Sequence, residues 1–316
     1  MTVVMRNFEE GDIPGCVALY NACETDDPDF VPLAEAEHRS RVLGSKQYDR
    51  NGHFVALDNG SIVGEARGTY DVARTGPAKG VANFETHFIP ELLGMGAERE
   101  LFRRVVSHLK SLGAARIGTR ADTRHKARLE QLLRLGFARN DYENHGMERP
   151  TSDAPPPVVP RGYSIRTAII PEEIPAMLVV VNEAFATRSG KMAIPMERFA
   201  RQWGTDGKDD VSGTFAAERE SDGAMVGVIV SQINRKHNAV HGTSRGGSYS
   251  LAVIPSERKR GLATALLSQS LKWIGEQGMG TAYLSVNVAN PDALNIYKRA
   301  GYRTVQIYHG YSIEIA

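Results

Sequence analysis

Three consecutive cations stand at the entrance of a predicted helix in the second half of this chain. The stretch ERKRGLATALL, residues 257–267, holds Arg258, Lys259 and Arg260, and the leucines that follow Gly261 recur at helical spacing. A helix N-terminus already carries partial positive charge, which favours a bound anion there over further cations. A strand, a loop with a glycine and a helix N-terminus together bind phosphate groups through outward-pointing amides. The stretch therefore predicts a pyrophosphate site, and the alternative is a solvated basic turn.

The elements that position this turn belong to a chain long enough for two domains, since it has 316 residues. The proline-rich stretch PTSDAPPPVVPRG has no hydrophobic periodicity and predicts an extended linker at residues 150–162. It separates a first domain, residues 1–149, from a second domain, residues 163–316.

Both domains pass through the same order of predicted elements. Each has a strand with an arginine, an apolar helix, a hairpin, an apolar strand that ends in Ile-Pro, a long helix, a strand and a short helix. Pro90 and Pro255 are 165 residues apart (255 − 90), and so are Gly136 and Gly301 (301 − 136). Shared order and shared spacing predict two copies of one mixed α/β unit.

Composition argues against several classes of protein. The 38 basic and 37 acidic residues leave a net charge of +1, which gives no support for nucleic-acid binding. No window approaches the roughly 18 apolar residues of a membrane span, and no signal peptide is visible.

Cys16 and Cys23 lie two helical turns apart, about 10 Å, which is too far for a disulfide and favours buried thiols in a cytoplasmic protein. The nine histidines show no metal-ligand spacing, so no metal is predicted.

The motifs of the second domain resemble those of the GNAT superfamily of N-acyltransferases. The pattern Arg258-x-x-Gly261-x-Ala263 follows a strand that ends in Val-Ile-Pro, as in the acyl-CoA signature of that family. The later stretch LSVNVANPDALNIYKRAGY, residues 284–302, resembles the second motif of the family. The resemblance implies two tandem domains of α/β (α+β) class, each a mixed, mostly antiparallel twisted sheet flanked by helices. It also implies an enzyme that transfers an acetyl group from acetyl-CoA to a primary amine.

The resemblance further implies where acetyl-CoA binds. Amides from Arg260 to Ala263 would hold the pyrophosphate, and the main chain of Leu251 and Val253 would pair with the pantetheine arm like an added strand. A bulge would separate that strand from the next one, 281–288, and an amide near Leu251 would polarise the acyl carbonyl. The complete set of implied cofactor-binding residues is Leu251, Ala252, Val253, Arg258, Lys259, Arg260, Gly261, Leu262, Ala263, Thr264, Asn290 and Tyr297.

Tyr297 is the catalytic residue that the resemblance implies. As general acid it would give its proton to the departing CoA thiolate, and a phenol with an ordinary pKa of about 10 is matched to a thiolate. The alternative is a core-facing aromatic residue. Asn290, before Pro291, is typical of a helix N-cap and by resemblance also contacts CoA. For the general base, Glu218 and His241 are weak candidates, and an acceptor amine can also lose its proton without one.

The same positions differ in the first domain. With the offset of 165, Gly96 replaces Gly261, but Glu98 replaces Ala263 and Leu132 replaces Tyr297. An acid in the first helical turn suits a helix without a ligand and repels a pyrophosphate. Residues 1–149 are therefore expected to keep the fold without the activity. The alternative is that they bind CoA in a shifted register.

The acceptor is the least specified part of the sequence. By resemblance it would meet residues 186–203, which include Arg188 and Lys191, and residues 307–314. The first segment is equally consistent with a second amphipathic helix on the core. Small amines, aminoglycosides and peptide N-termini are candidate acceptors, and the two-unit architecture also resembles the mycothiol synthases, which acetylate a cysteinyl aminoglycoside.

The chain is expected to be a monomer or homodimer. The alternative function is a non-catalytic acyl-CoA sensor or a partner-binding module.

Overall fold

The structure is a computed structural model that describes residues 3–73, 79–186, 193–196, 199–200, 203 and 211–315. The described strands are β1 (Val3–Asn7), β2 (His53–Asp58), β3 (Ser61–Thr69), β4 (Val81–Phe88), β5 (Arg116–Asp122), β6 (Ala138–Pro150), β7 (Tyr163–Thr167), β8 (Thr214–Arg219), β9 (Ala224–Gln232), β10 (Arg245–Val253), β11 (Thr281–Asn287) and β12 (Arg303–Glu314). The described helices are α1 (Ile13–Cys23), α2 (Glu35–His38), α3 (Gly96–Ser111), α4 (Lys126–Arg134), α5 (Ile174–Phe185), α6 (Arg235–His241), α7 (Leu262–Glu276) and α8 (Pro291–Arg299). None of these helices is both long and apolar enough to cross a membrane.

The chain forms two compact units whose bounds differ from the predicted domains. The first unit comprises Met1–Glu143 and Ile307–Ala316, and the second comprises Asn144–Gln306. Residues 144–149 were predicted in the first domain and residues 307–316 in the second, so both assignments are wrong. An alternating strand pattern shows which face of a strand is apolar, but it does not show which sheet the strand joins.

In the first unit the strand order is β1-β2-β3-β4-β5, closed by Tyr308–Glu314 of β12. Neighbours are antiparallel except for β4 and β5, which are parallel over only three residue pairs, from Val81↔Arg116 to Asn83↔Gly118. Helix α3 packs its buried residues Leu101, Val105 and Leu109 against this sheet. Every third or fourth residue of α3 is apolar, so one face of the helix enters the core.

The second unit repeats this plan. Its strand order is β7-β8-β9-β10-β11, closed by Asn144–Pro150 of β6. Strands β10 and β11 form the one parallel pair among its described neighbours, again over three residue pairs that end at Gly247↔Tyr283. Helix α7 buries Leu262, Leu266 and Ile274 in the core of this unit. The predicted fold class, two mixed α/β units with mostly antiparallel sheets, is confirmed.

Backbone geometry at matching glycines explains the shared spacing. Gly113 and Gly278, which follow the long helices, have φ of +86° and +77°, and Gly136 and Gly301, which follow the short helices, have +89° and +86°. These left-handed conformations end a helix at low cost only when the residue is glycine. The offset of 165 residues between the halves is therefore a repeat of helix ends.

The proline-rich segment, predicted as an extended interdomain linker, lies within the second unit and packs against it. The Thr151 hydroxyl donates to the Met279 carbonyl at 2.7 Å, and the Thr151 amide donates to the Gly280 carbonyl at 3.1 Å. Ala154 contacts the apolar core of that unit. Prolines restrict the backbone, so this segment adopts an extended path at little entropic cost.

The closing strand of the first unit gives a stability prediction. Tyr311 is 8% exposed and lies in the core of the first unit, although it is only five residues from Ala316. We expect Tyr311→Ala to destabilise the first unit by about 3 kcal/mol because it leaves a cavity. Val305→Ala on the same strand, where Val305 is 47% exposed, is the matched control and should change stability by less than about 0.5 kcal/mol.

Native-state hydrogen exchange distinguishes the two units. Tyr311→Ala should raise the exchange of amides in β5 and leave those in β11 protected. Faster exchange in β11 with β5 unchanged would contradict the assignment of residues 307–316 to the first unit.

Candidate active site

A cleft opens in the second unit where β10 and β11 stop pairing. After Gly247↔Tyr283 both strands continue, β10 to Val253 and β11 to Asn287, without further pairing to each other. The register of β10 against β9 shifts between Tyr249 and Ala252, and Ser250 has a positive φ of +49°. A bulge of this kind bends and twists its strand. The expected bulge is therefore present, and the main chain of β10 beyond it faces a gap.

The alternation of amides along β10 decides which groups face that gap. The Ile254 amide donates to the Val226 carbonyl at 3.0 Å and so points toward β9. Successive amides in a strand point to opposite sides, so the Val253 amide points away from β9, toward the gap. This edge can pair with an extended ligand as another strand would.

The turn before α7 presents to the same cleft amides that have no partner within the described part of the chain. Gly261 is the N-cap residue, with φ of +92°, and Lys259 is also left-handed, with φ of +61°. Hydrogen bonding within the helix begins with the Ala265 amide, which donates to the Gly261 carbonyl at 3.0 Å. The amides of Leu262, Ala263 and Thr264 precede that bond and are the donors that a helix N-terminus leaves to a capping group or a ligand. Gly261 is thus required by its backbone conformation.

The two arginines of this turn both contact other parts of the protein. The Arg258 guanidinium donates to the Ala184 carbonyl at 2.6 Å and to the Val253 carbonyl at 3.3 Å. It therefore ties the end of α5 to the end of β10. Arg260 pairs with Glu257 at 3.2 Å and is absent from the described lining of the cleft. All three cations are exposed. Lys259 lines the cleft and makes no such contact among the described residues.

Glu257 holds the turn together and was not singled out in the sequence. It is 5% exposed and accepts hydrogen bonds from the Tyr163 hydroxyl and, at 2.6 Å, from the Arg219 guanidinium. The hydrogen bond from Tyr163 keeps the pKa of Glu257 below its ordinary value against the opposing effect of burial, and Arg219 and Arg260 act in the same direction. The sequence offered one signal for this role, an acidic residue beside three basic ones. It could not reveal the partners Tyr163 and Arg219, which are distant in sequence.

Helix α8 brings the second motif to the opposite side of the cleft. Asn290 is its N-cap residue, as predicted, but its side chain makes no capping hydrogen bond and lies on the cleft. Tyr297 is half-buried, lines the cleft and packs on the buried Tyr302, with ring centroids 6.1 Å apart. The phenol of Tyr297 is thus supported by the core on one side and open to the cleft on the other.

The cleft has a volume of about 1100 Å³. Of the predicted cofactor-binding residues, all but Arg260 line it: Leu251, Ala252, Val253, Arg258, Lys259, Gly261, Leu262, Ala263, Thr264, Asn290 and Tyr297. The fold therefore brings together residues up to 46 positions apart (297 − 251) in one open site. Phe185, Ser285 and Asn287 also line it, and the sequence analysis did not identify them.

The candidate bases and acceptor segments lie elsewhere or outside the described residues. Glu218 is paired with Arg166 at 2.6 Å, and His241 stacks on His237 with ring centroids 4.3 Å apart; neither is among the described lining residues. Arg188 and Lys191 lie outside the described residues. Residues 307–314 belong to the sheet of the first unit, and their place beside the acceptor stays a prediction.

Phe199 and Trp203 are buried with α5 and not exposed on a pocket. For these two residues the structure agrees with the alternative interpretation of residues 186–203 as a segment packed on the core.

In the first unit, side chains of the chain itself take the corresponding positions. Glu98 is 2% exposed, and its carboxylate accepts the Gly94 amide at 2.8 Å at the start of α3. Gln131 donates to Glu98 at 2.9 Å and accepts from Arg128 at 2.5 Å. Leu132, at the position of Tyr297, is fully buried. A carboxylate of the first helical turn thus bonds the loop before α3, at the position where the second unit has Ala263.

Comparison with known proteins agrees with this arrangement. The profile of the Acetyltransferase (GNAT) family matches residues 182–302. The mycothiol acetyltransferase of Streptomyces coelicolor is 30% identical over 260 residues, which cover 79% of this chain and 76% of that protein. A tandem GNAT protein from the clavulanic acid biosynthesis pathway has the same fold, with a TM-score of 0.71, 15% identity and coverage of 100% of this chain and 99% of that one. A GCN5-related N-acetyltransferase from Sphaerobacter thermophilus has a TM-score of 0.67, with 21% identity and coverage of 99% and 96%.

The contacts of Arg258 give a prediction for this site. Arg258→Ala should lower the free energy of unfolding of the second unit by about 1–2 kcal/mol because two charge-assisted hydrogen bonds to carbonyls are lost. The exposed neighbour Lys259 is the matched control, and Lys259→Ala should change stability by less than about 0.5 kcal/mol. Scanning calorimetry of both variants makes the comparison. Equal stability of the two variants would show that Arg258 does not tie α5 to β10.

Proposed function

Because this chain belongs to the GNAT family of N-acetyltransferases, we propose that it takes its acetyl group from acetyl-CoA in the cleft of the second unit. The observation that carries the proposal is the combination of the splayed β10–β11 pair with an unsatisfied helix N-terminus at Gly261. One feature offers a strand edge for the pantetheine arm, and the other offers amides for the pyrophosphate. Both lie on one continuous cleft.

The basic residues of the turn have separate roles in this proposal. Arg258 fixes the geometry of the main chain through the Val253 carbonyl, and Arg260 balances the buried Glu257. The amides of Leu262, Ala263 and Thr264 bind the pyrophosphate oxygens, and Lys259 supplies the mobile positive charge. Most of the affinity thus comes from the backbone and the helix dipole, with one side-chain charge added.

The reaction is a direct transfer. The nitrogen of a neutral primary amine attacks the thioester carbonyl, the carbon–sulfur bond breaks, and the amine loses one proton to solvent. A main-chain amide of β10, near Leu251 and Val253, stabilises the negative charge that develops on the carbonyl oxygen. Tyr297 donates its hydroxyl proton to the sulfur of the departing thiolate, and solvent returns a proton to Tyr297.

The first unit has no catalytic role in this proposal. Glu98 occupies the anion turn, and Leu132 takes the place of the acid. Arg128 corresponds to Ala293 of the second unit and reaches Glu98 through Gln131, so charged side chains stand where a cofactor would lie. A ligand that displaced this network would have to break the hydrogen bonds of each of its members.

The acceptor is a primary amine, and the relatives named mycothiol acetyltransferase favour a cysteinyl aminoglycoside over other amines. The competing acceptor is a peptide N-terminus. Purified protein with acetyl-CoA should acetylate a cysteinyl amino sugar at a higher kcat/KM than a dipeptide amine, as followed by release of CoA thiol. The reverse order would remove the cysteinyl aminoglycoside from the proposal and leave the transferase itself intact.

Substitution of Tyr297 tests the catalytic role. Tyr297→Phe should lower kcat by about a hundredfold, because general acid catalysis is lost, and leave the Kd of acetyl-CoA nearly unchanged. Tyr142→Phe, which removes a phenol 37% exposed on the first unit, is the control and should have wild-type kcat. Unchanged turnover of Tyr297→Phe, with the chemical step shown to limit the rate, would exclude Tyr297 as the acid.

The first unit suggests a sharper test of the cofactor turn. Ala263→Glu places in the second unit the acid that Glu98 provides in the first. We expect it to abolish acetyl-CoA binding by repelling the pyrophosphate, while the thermal midpoint stays constant or rises, because an acid suits the first helical turn. Ala263→Gln, similar in size and uncharged, is the matched control and should bind more tightly than the glutamate variant.

Calorimetry on the wild-type chain should give one acetyl-CoA per chain, with the site lost in Ala263→Glu. Two sites per chain would show that the first unit also binds the cofactor. Unchanged binding by Ala263→Glu would show that the pyrophosphate lies elsewhere.

A further inference from the structure

Three potential metal ligands converge in the first unit, at a place where two helix ends meet. Glu24 is the C-cap residue of α1, Asp27 follows one turn later, and His125 is the N-cap residue of α4. One carboxylate oxygen from each acid and one ring nitrogen of His125 all lie within 4.8 Å of one another. They are up to 101 residues apart in sequence (125 − 24), so the sequence spacing of the histidines did not reveal them.

His125 is the feature that acetyl transfer and packing leave unexplained. It is only 7% exposed, yet in the described part of the chain its ring has no hydrogen bond. One of its ring nitrogens lies within 4.8 Å of an oxygen of each carboxylate, with no hydrogen bond to either among the described residues. A cation placed between these three atoms would bond all of them.

The two carboxylates differ in what holds them. Asp27 is half-buried, and its Oδ1 accepts the Asp29 amide at 2.9 Å. Glu24 is also half-buried, and its Oε1 contacts His87 Nδ1 at 2.8 Å. Glu24 is therefore held and oriented by an imidazole behind it.

His87 itself is fixed by an edge contact from Tyr20, with ring centroids 5.2 Å apart. An imidazole–carboxylate pair behind a ligand is the arrangement that orients ligands in metal sites.

The site lies at the position of the cofactor cleft of the other unit. With the offset of 165, His125 corresponds to Asn290, which lines that cleft. Asn21 and Asn182 each bond both main-chain groups of the residue 12 positions later, so α1 and α5 align with an offset of 161 (182 − 21). By that offset Glu24 corresponds to Phe185, another residue of the cleft.

We propose that the first unit binds one divalent first-row transition-metal cation through His125, Glu24 and Asp27. One imidazole nitrogen and two carboxylate oxygens suit Zn²⁺ or Co²⁺, with ligand distances of about 2.0–2.2 Å and solvent completing the coordination. A shift of under about an ångström in three side chains would bring the ligand atoms to those distances. The ion joins the end of α1 to the start of α4, so its role is structural and independent of acetyl transfer.

Cobalt provides a direct test on the full chain. After removal of metals with a chelator, Co²⁺ is titrated into the protein, and the visible absorption bands and the heat of binding are recorded. The wild-type chain should bind one Co²⁺, with Zn²⁺ in competition. His125→Asn, which installs the residue of the second unit, and the isosteric Asp27→Asn should each weaken binding at least about tenfold.

A second histidine pair serves as the control. His237 and His241 are four residues apart on α6, with ring centroids 4.3 Å apart, and such a pair is the competing site. His241→Ala should leave the titration unchanged. Loss of binding in His241→Ala, or equal binding by wild type, His125→Asn and Asp27→Asn, would overturn the proposal, as would absence of binding at millimolar Co²⁺.

Circular dichroism and the acetyl-CoA titration distinguish a folding defect from the loss of a metal-ligating side chain. Variants that fold and bind acetyl-CoA as wild type, but bind Co²⁺ weakly, support the site. If wild type bound Co²⁺ and had no affinity for acetyl-CoA, the proposed function would fail and the metal site would stand.

Discussion

The second unit depends on a parallel strand pair that is cut short. Pairing between β10 and β11 ends at Gly247 and Tyr283, and a bulge at Ser250 bends β10 away. Main-chain donors and acceptors beyond that point have lost their partner strand, and such groups are costly unless water or a ligand replaces it. The cleft is therefore a gap in a hydrogen-bond ladder. Every other part of the site, from the turn at Gly261 to the support of Tyr297, is arranged around it.

The first unit shows what happens to the same gap when it is filled from within. Its parallel pair also ends after three residue pairs, but β4 continues against β3 in unbroken register as far as Phe88. Glu98, Gln131 and Arg128 form a hydrogen-bonded network at the corresponding place. The two units thus share one plan and differ here in the bulge and in a few side chains.

The sequence predicted the fold class and the turn at Gly261 well because both depend on local rules. Helical spacing, glycines with positive φ and an Asn-Pro helix start are written within a few residues of where they act. The family resemblance added the bulge and Tyr297. What it could not supply were contacts between distant segments.

Arg258 was expected to meet a phosphate, but it bonds the Ala184 carbonyl, 74 positions away. The burial of Glu257 under Tyr163 and Arg219 was missed for the same reason. The pairing of residues 308–314 with β5 was also beyond the sequence, since the pattern of a strand is the same whichever neighbour it finds.

The assignment of Tyr308–Glu314 to the first sheet has a consequence for how the protein is made. The partner of Asp122 is Tyr308, 186 residues later (308 − 122), so ribosomes finish the whole second unit before the last strand of the first unit exists. Until then β5 has an open edge, which is a template for wrong pairing with other chains. The first unit is thus the first to begin synthesis and the last to be completed.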